Sequence, residues 1–181
     1  MRWRTYKSEG IVLQRRNYSE ADRILVVYSK HYGKVSLLAK SVRKPKSRKR
    51  GALEIFSHFK FSAARGKNLD IVTEAELITH FSTIRKNLKK TSVAYYLMEV
   101  VNKLTREGEK NEKLYSQILA NLRMIESAES LRKLREKFVY DCLVLLGFWP
   151  KEKIMTNPDE ILADVIEREL FSVRVGKKVL S

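Results

Sequence analysis

Six of the eight residues from Arg43 to Arg50 are basic: Arg43, Lys44, Lys46, Arg48, Lys49 and Arg50. Guanidinium and ammonium groups at this density make no covalent chemistry of their own; they hold polyanions. Pro45 within the run removes a backbone donor and disfavours helix, so an extended or looping segment is expected. Six like charges repel one another and stay together cheaply only when solvated or facing a polyanion. The run is therefore either a solubilising or targeting segment, or a phosphate-binding loop. The rest of the chain has to decide.

Elsewhere basic residues alternate with aromatic ones. Arg2-Trp3-Arg4, Arg15-Arg16-Asn17-Tyr18, Arg23 with Tyr28, and Tyr32 with Lys34 combine phosphate-pairing groups with flat rings. Single-stranded nucleic acid is bound by that combination, with bases stacked on rings at about 1–3 kcal/mol each. Tyr28, Phe59 and Phe61 read as strand core, whereas Trp3, Tyr18 and Tyr32 lie near ends and turns and are candidates for base stacking.

Catalytic constellations are not found. There is no G-x-x-x-x-G-K-[ST] or G-x-G-x-x-G loop. His31, His58 and His80 are scattered, His58 on the polar side of its strand and His31 in a turn, without an H-E-x-x-H or a cysteine pair, so no metal site is expected. The single cysteine, Cys142, falls in an apolar helical pattern and reads as core. Glu74 and Glu76 share a strand face and read as solvated acids. The expectation is a binding protein without cofactor, not an enzyme.

Charge sharpens this. The 181 residues carry a net +16, and residues 1–80 alone hold 18 basic and 7 acidic side chains, net +11. Such an excess calls for a polyanionic partner, with the first half as its contact surface. No apolar run approaches the roughly 18 residues that span a bilayer, and the first residues lack the apolar stretch of a secretory signal, so a cytoplasmic protein is expected.

The elements that must position these groups change type near residue 80. Ile11–Leu13, Ile24–Tyr28, Val35–Ala39, Phe59–Ala63 and Leu69–Leu77 read as five strands with short turns, which suggests a small antiparallel barrel or sandwich. In the last of them Leu69, Ile71, Thr73, Ala75 and Leu77 form one face by period-two alternation. The basic run connects strands three and four. From Ile84 the period becomes helical: Val93, Leu97, Val100, Val101 and Leu104 mark a long helix ending near Gly108, and Leu114 to Ile125 and Leu131 to Leu145 mark two more. Asn157-Pro158-Asp159-Glu160 is a start signal for another.

The order of these pieces then becomes specific. E-G-I-V-L-Q-R-R-N-Y-S-E-A-D-R-I-L (9–25), G-K-V-S-L-L-A-K-S-V-R-K-P-K-S-R (33–48) and T-E-A-E-L-I (73–78), with Gly51-Ala52-Leu53 after the basic run, resemble the bacterial recombination-repair family RecO. Leu145-Leu146-Gly147-Phe148 and Gly176-Lys177-Lys178 resemble later landmarks. The resemblance implies an α+β fold, with a five-stranded OB-fold nucleic-acid-binding domain at 1–80 and an α-helical domain at 81–181. It implies binding and annealing of single- and double-stranded DNA, and help in loading RecA onto DNA coated by single-strand-binding protein. The implied partners are the C-terminal tail of that protein, bound by the helical domain, and RecR. The sequence offers apolar grooves bordered by Lys and Arg, as around Arg132, Lys133, Arg135 and Lys137, and the same residues read first as the solvated face of a helix. Many members insert a four-cysteine zinc module after Leu-Gly-Phe; here Phe148-Trp149-Pro150-Lys151 leads almost directly to Pro158, so a form without the module and without zinc is expected.

The candidate nucleic-acid contacts are Arg2, Arg4, Arg15, Arg16, Arg23, Lys34, Lys40, Arg43, Lys44, Lys46, Arg48, Lys49, Arg50 and Lys67. A structural RNA-binding protein, such as a ribosome-associated one, would use the same basic loop and strands and is the alternative.

Overall fold

The computed structural model describes residues 5–167. Its first half is a closed barrel of β1 (Thr5–Tyr18), β2 (Asp22–Ser29), β3 (Gly33–Ala39), β4 (His58–Ala64) and β5 (Asp70–Thr79). The strand order is β1-β2-β3-β5-β4, closing back on β1. Neighbours are antiparallel except β3 and β5, which pair in parallel at Leu37–Asp70 and Leu38–Ile71. This five-stranded arrangement is the OB-fold barrel.

Closure depends on β1, which is longer than its apolar run Ile11–Leu13 suggests. Its first half pairs with β4 up to Ile11 and its second half with β2 from Gly10 on, and the β2 register shifts at a bulge between Val12 and Gln14. Gly10 lies at the crossing. A Cβ there would stand 2.5 Å from Val27 Cγ1, so the strands can approach only without a side chain. Leu25, Val27, Leu37, Phe59, Phe61 and Val72 fill the interior.

The face expected for β5 is corrected. Val72 is buried, while Ile71 is only partly covered and Leu77 is 37% exposed. The register against β4 shifts between Ser62 and Ala63 and again between His58 and Phe59. Each extra residue reverses which side chains point inward, and strict alternation does not survive it.

A single 3₁₀ turn, Gly51–Leu53, enters the barrel core between β3 and β4, with Leu53 fully buried. The helices are α1 (Ser82–Arg85), α2 (Leu88–Leu104), α3 (Glu112–Ser127) and α4 (Leu131–Leu145). The long first helix read from Val93 to Leu104 is α2, which ends at Leu104 rather than near Gly108, and Asn87 caps its start by accepting from Lys90 N. Asn111 and Ser130 cap α3 and α4 in the same way. Another helix begins at Pro158.

Two compact units divide the chain, one running to Glu129 and the other from Ser130. Residue 80 is thus a change of secondary structure within the first unit, and α1 to α3 share that unit with the barrel. Among the described residues, no helix is long and apolar enough to cross a membrane.

Candidate nucleic-acid interface

Of the extended or looping forms expected around Pro45, the basic run at residues 40–50 takes the looping one, as a chain of tight turns. Lys44 N bonds Ser41 O, Ser47 N bonds Lys44 O, and Ala52 N bonds Lys49 O, at 3.0–3.2 Å. Val42 is fully buried at one end, and Ala52 and Leu53 are buried at the other. Three loop residues tie it down by polar contacts. Arg43 Nη1 reaches the carbonyls of Ser19 and Glu20 at 3.4 and 3.1 Å, Ser41 N bonds Asp22 Oδ1 at 2.7 Å, and Lys49 Nζ bonds Val72 O at 3.0 Å. The loop therefore lies between the β1–β2 turn and the start of β5.

Lys40, Lys44, Lys46, Arg48 and Arg50 are exposed, and none forms an ion pair with an acid among the described residues. A surface that holds five unneutralised cations on a fixed backbone is pre-organised for an anion. Tyr18, 51% exposed, ends β1 beside the turn that Arg43 grips. Arg16 is also exposed. Lys67 is exposed in the β4–β5 turn, but not with the loop. Lys40 follows Leu37 and Lys67 precedes Asp70, and from that parallel pair the two leave in opposite directions.

Four of the expected contacts have partners within the protein. Arg15 and Arg23 are ion-paired to Glu54, at 2.9 and 3.1 Å. Lys34 donates to Asn102 O at 2.7 Å and to Thr105 O, and so caps the carboxyl end of α2, where a cation is favoured. Burial lowers the Lys34 ammonium from its ordinary value, and Glu107 and Glu109 oppose that. Tyr32 is half-buried with its ring 4.6 Å from that of Tyr6, not presented to bases. Arg2, Trp3 and Arg4 lie outside the described residues, as do Gly176 to Ser181.

Lys34 belongs to a larger difference. OB domains often use the outer face of β2 and β3 for oligonucleotides. Here the outward residues Lys34 and Ser36 meet the chain after α2: Ser36 Oγ donates to Glu107 Oε1, and Gly108 N bonds Lys34 O at 2.9 Å. That part of the face is covered by protein, which leaves the loops as the accessible basic surface.

His58 is also corrected, from the polar side of its strand to a buried position. It is 5% exposed, and its Nε2 lies 2.8 Å from Tyr115 Oη of α3 and 3.7 Å from Glu9 Oε2. Nothing local in the sequence marks this pair, 57 residues apart. Tyr115→Phe should cost about 1–3 kcal/mol, the penalty of an unsatisfied buried group; chemical denaturation measures it.

Burial lowers the His58 imidazole from its ordinary value, against Glu9 and with help from Arg123 and Lys30. The unfolded chain therefore binds the proton more tightly. Stability from this group is complete above about pH 6.5 and is lost as pH falls through the lower folded value. Thermal midpoints taken from pH 8 to pH 5 should fall, and His58→Gln should flatten the fall.

Among the described residues no group of three or more His, Cys, Asp or Glu side chains is placed to hold a metal ion. In the second unit, α4 and residues 146–159 enclose a groove of about 890 Å³, lined by Arg132, Lys133, Lys151 and Lys153 with Tyr140, Ile154 and Met155. Arg132 pairs with Glu136 and Arg135 with Asp159, while Lys153 lies 4.9 Å over the Trp149 ring.

A family model described as the N-terminal part of recombination protein O matches residues 1–81, and one for its C-terminal part matches residues 85–153. The chain belongs to the RecO family. Curated RecO relatives agree. The DNA repair protein RecO of Pelotomaculum thermopropionicum is 38% identical over 145 residues, 80% of this chain and 56% of that protein. That of Desulforamulus reducens is 36% identical over 175 residues, 94% of this chain and 66% of the relative. That of a Roseiflexus strain is 31% identical over 151 residues, 83% and 53%. The chain thus spans between about half and two thirds of the length of these RecO proteins. They are named as DNA repair proteins, not as members of an enzyme family.

Proposed function

We propose that this chain is a non-catalytic mediator of recombinational DNA repair that grips DNA with its basic loop. The observation carrying the reading is the set of exposed cations, Lys40, Lys44, Lys46, Arg48 and Arg50, on a loop fixed at both ends. Arg43 and Arg16 flank them, and Tyr18 offers a ring for stacking. Single and double strands are both substrates, because phosphates rather than base edges are addressed. Neutralising phosphates on two complementary strands lowers their mutual repulsion, which promotes annealing.

The second unit supplies the partner contact in this reading. An acidic, apolar tail of single-strand-binding protein fits a groove that combines lysines with Tyr140, Ile154 and Met155. Held there, the chain acts on coated DNA and assists RecA loading, with RecR as a further partner. Charge reversal of Lys133 and Lys151 should weaken binding of such a tail peptide at least tenfold, as rim and groove charges on an acidic ligand do; fluorescence anisotropy reads it.

The test of function is annealing of complementary strands coated with single-strand-binding protein. Acceleration by the intact chain supports the proposal, and no acceleration rejects it. Competition by a folded RNA that beats single-stranded DNA would favour a structural RNA-binding role instead.

A further inference from the structure

Glu54 is gripped by guanidiniums from two adjacent strands. Arg15 Nη2 lies 2.9 Å from Oε2 and Arg23 Nη1 lies 3.1 Å from Oε1, with side-chain exposures of 29%, 11% and 26% for Arg15, Arg23 and Glu54. The two arginines are not saturated by this. Each guanidinium carries five N–H donors, and Arg23 Nε is buried without a hydrogen-bond partner among the described residues. A third guanidinium stands near. Arg85 bonds His80 O, Ile55 O and Ser57 Oγ at 2.7–3.1 Å, and Glu54 and Arg15 both act on its charge. One carboxylate thus faces several cations in a part-buried site, and positive charge remains.

A carboxylate and a phosphate offer arginine the same two-oxygen edge. Glu54 therefore occupies a place that a phosphate oxygen pair would fit. Its backbone cannot leave, because Leu53 beside it is fully buried in the barrel. Its side chain can, since rotation about its own bonds moves the carboxylate toward solvent. The site also lies at the exit of the basic loop, where a strand held by that loop would deliver phosphates.

We infer that Arg15 and Arg23 form a second phosphate site, closed by Glu54 acting as an internal counter-ion and opened when a DNA phosphate displaces it. This rests on the DNA-binding reading above and adds a gate to it. The gate holds affinity below what the charge of the chain allows, and it favours strands long enough to occupy the loop and the fork together.

The experiment measures binding of a single-stranded oligonucleotide by the full chain as a function of salt. Glu54→Gln keeps shape and an acceptor oxygen but removes the charge. It should tighten binding about three- to tenfold near 0.1 M salt and steepen the salt slope by about 0.7, one additional phosphate on a single strand. Glu20→Gln, in the exposed β1–β2 turn, removes the same charge from a residue that pairs with neither arginine and should give less than half that gain. Adding Arg15→Gln to Glu54→Gln should abolish the gain. Thermal unfolding checks each variant, and Glu54→Asp, too short to reach both arginines, serves if Glu54→Gln does not fold, with a gain of the same sign. Loop-dependent binding by the unaltered chain with no gain in the Glu54 variants, or an equal gain from Glu20→Gln, overturns this inference alone. No binding by the unaltered chain at low salt overturns the DNA reading and the gate together.

Discussion

Replacing Lys44, Lys46, Arg48 and Arg50 together with serine should weaken binding of single-stranded DNA by roughly 10²–10³-fold near 0.1 M salt. Each phosphate neutralised on a single strand adds about 0.7 to the slope of log affinity against log salt, so four lost contacts remove nearly three. The chain should fold unchanged. These side chains are exposed and have no acid partners among the described residues, and the contacts that shape the loop come from others. Arg43 holds the β1–β2 turn, Lys49 holds Val72 O, and Val42 and Leu53 are buried. A thermal midpoint within a few degrees of the parent, with weakened binding, is the expected pair of results. Unchanged binding would remove the loop from the account.

Gly33→Ala should be strongly destabilising. Gly33 opens β3 with φ of +66°, where a side chain costs about 1–2 kcal/mol. The added Cβ would also stand 2.1 Å from Glu109 O and 2.9 Å from Lys110 N, both backbone atoms. The chain after α2 must then leave the hairpin, taking with it the bond from Gly108 N to Lys34 O. A combined loss of about 3–5 kcal/mol follows, which for a chain of this size lowers the melting temperature by roughly 10 °C. Hydrogen exchange should rise first at residues 105–110. A shift of only a degree or two would mean that this packing is looser than described.

Much of the barrel could be read locally. Alternation and turn residues mark the strands, and Asn157-Pro158 marks the helix that begins at Pro158, because those signals act over a few residues. The face of β5 could not, since two register shifts against β4 reset the alternation and a bulge leaves no reliable trace in one strand's sequence. The candidate site divides along the same line. Exposed cations in the loop were legible from composition. The fates of Arg15, Arg23 and Lys34 depend on Glu54 and on the end of α2, 31 to 71 residues away in sequence. The aromatic signal was least informative: Tyr18 is exposed, whereas Tyr32 sits against Tyr6.

The salt dependence of DNA affinity tests the central claim most directly. With about six loop cations engaged, log affinity should fall against log salt with a slope near −4 on single strands and near −5 on duplex. A slope close to zero would mean that phosphate neutralisation does not carry the binding, and would contradict the account.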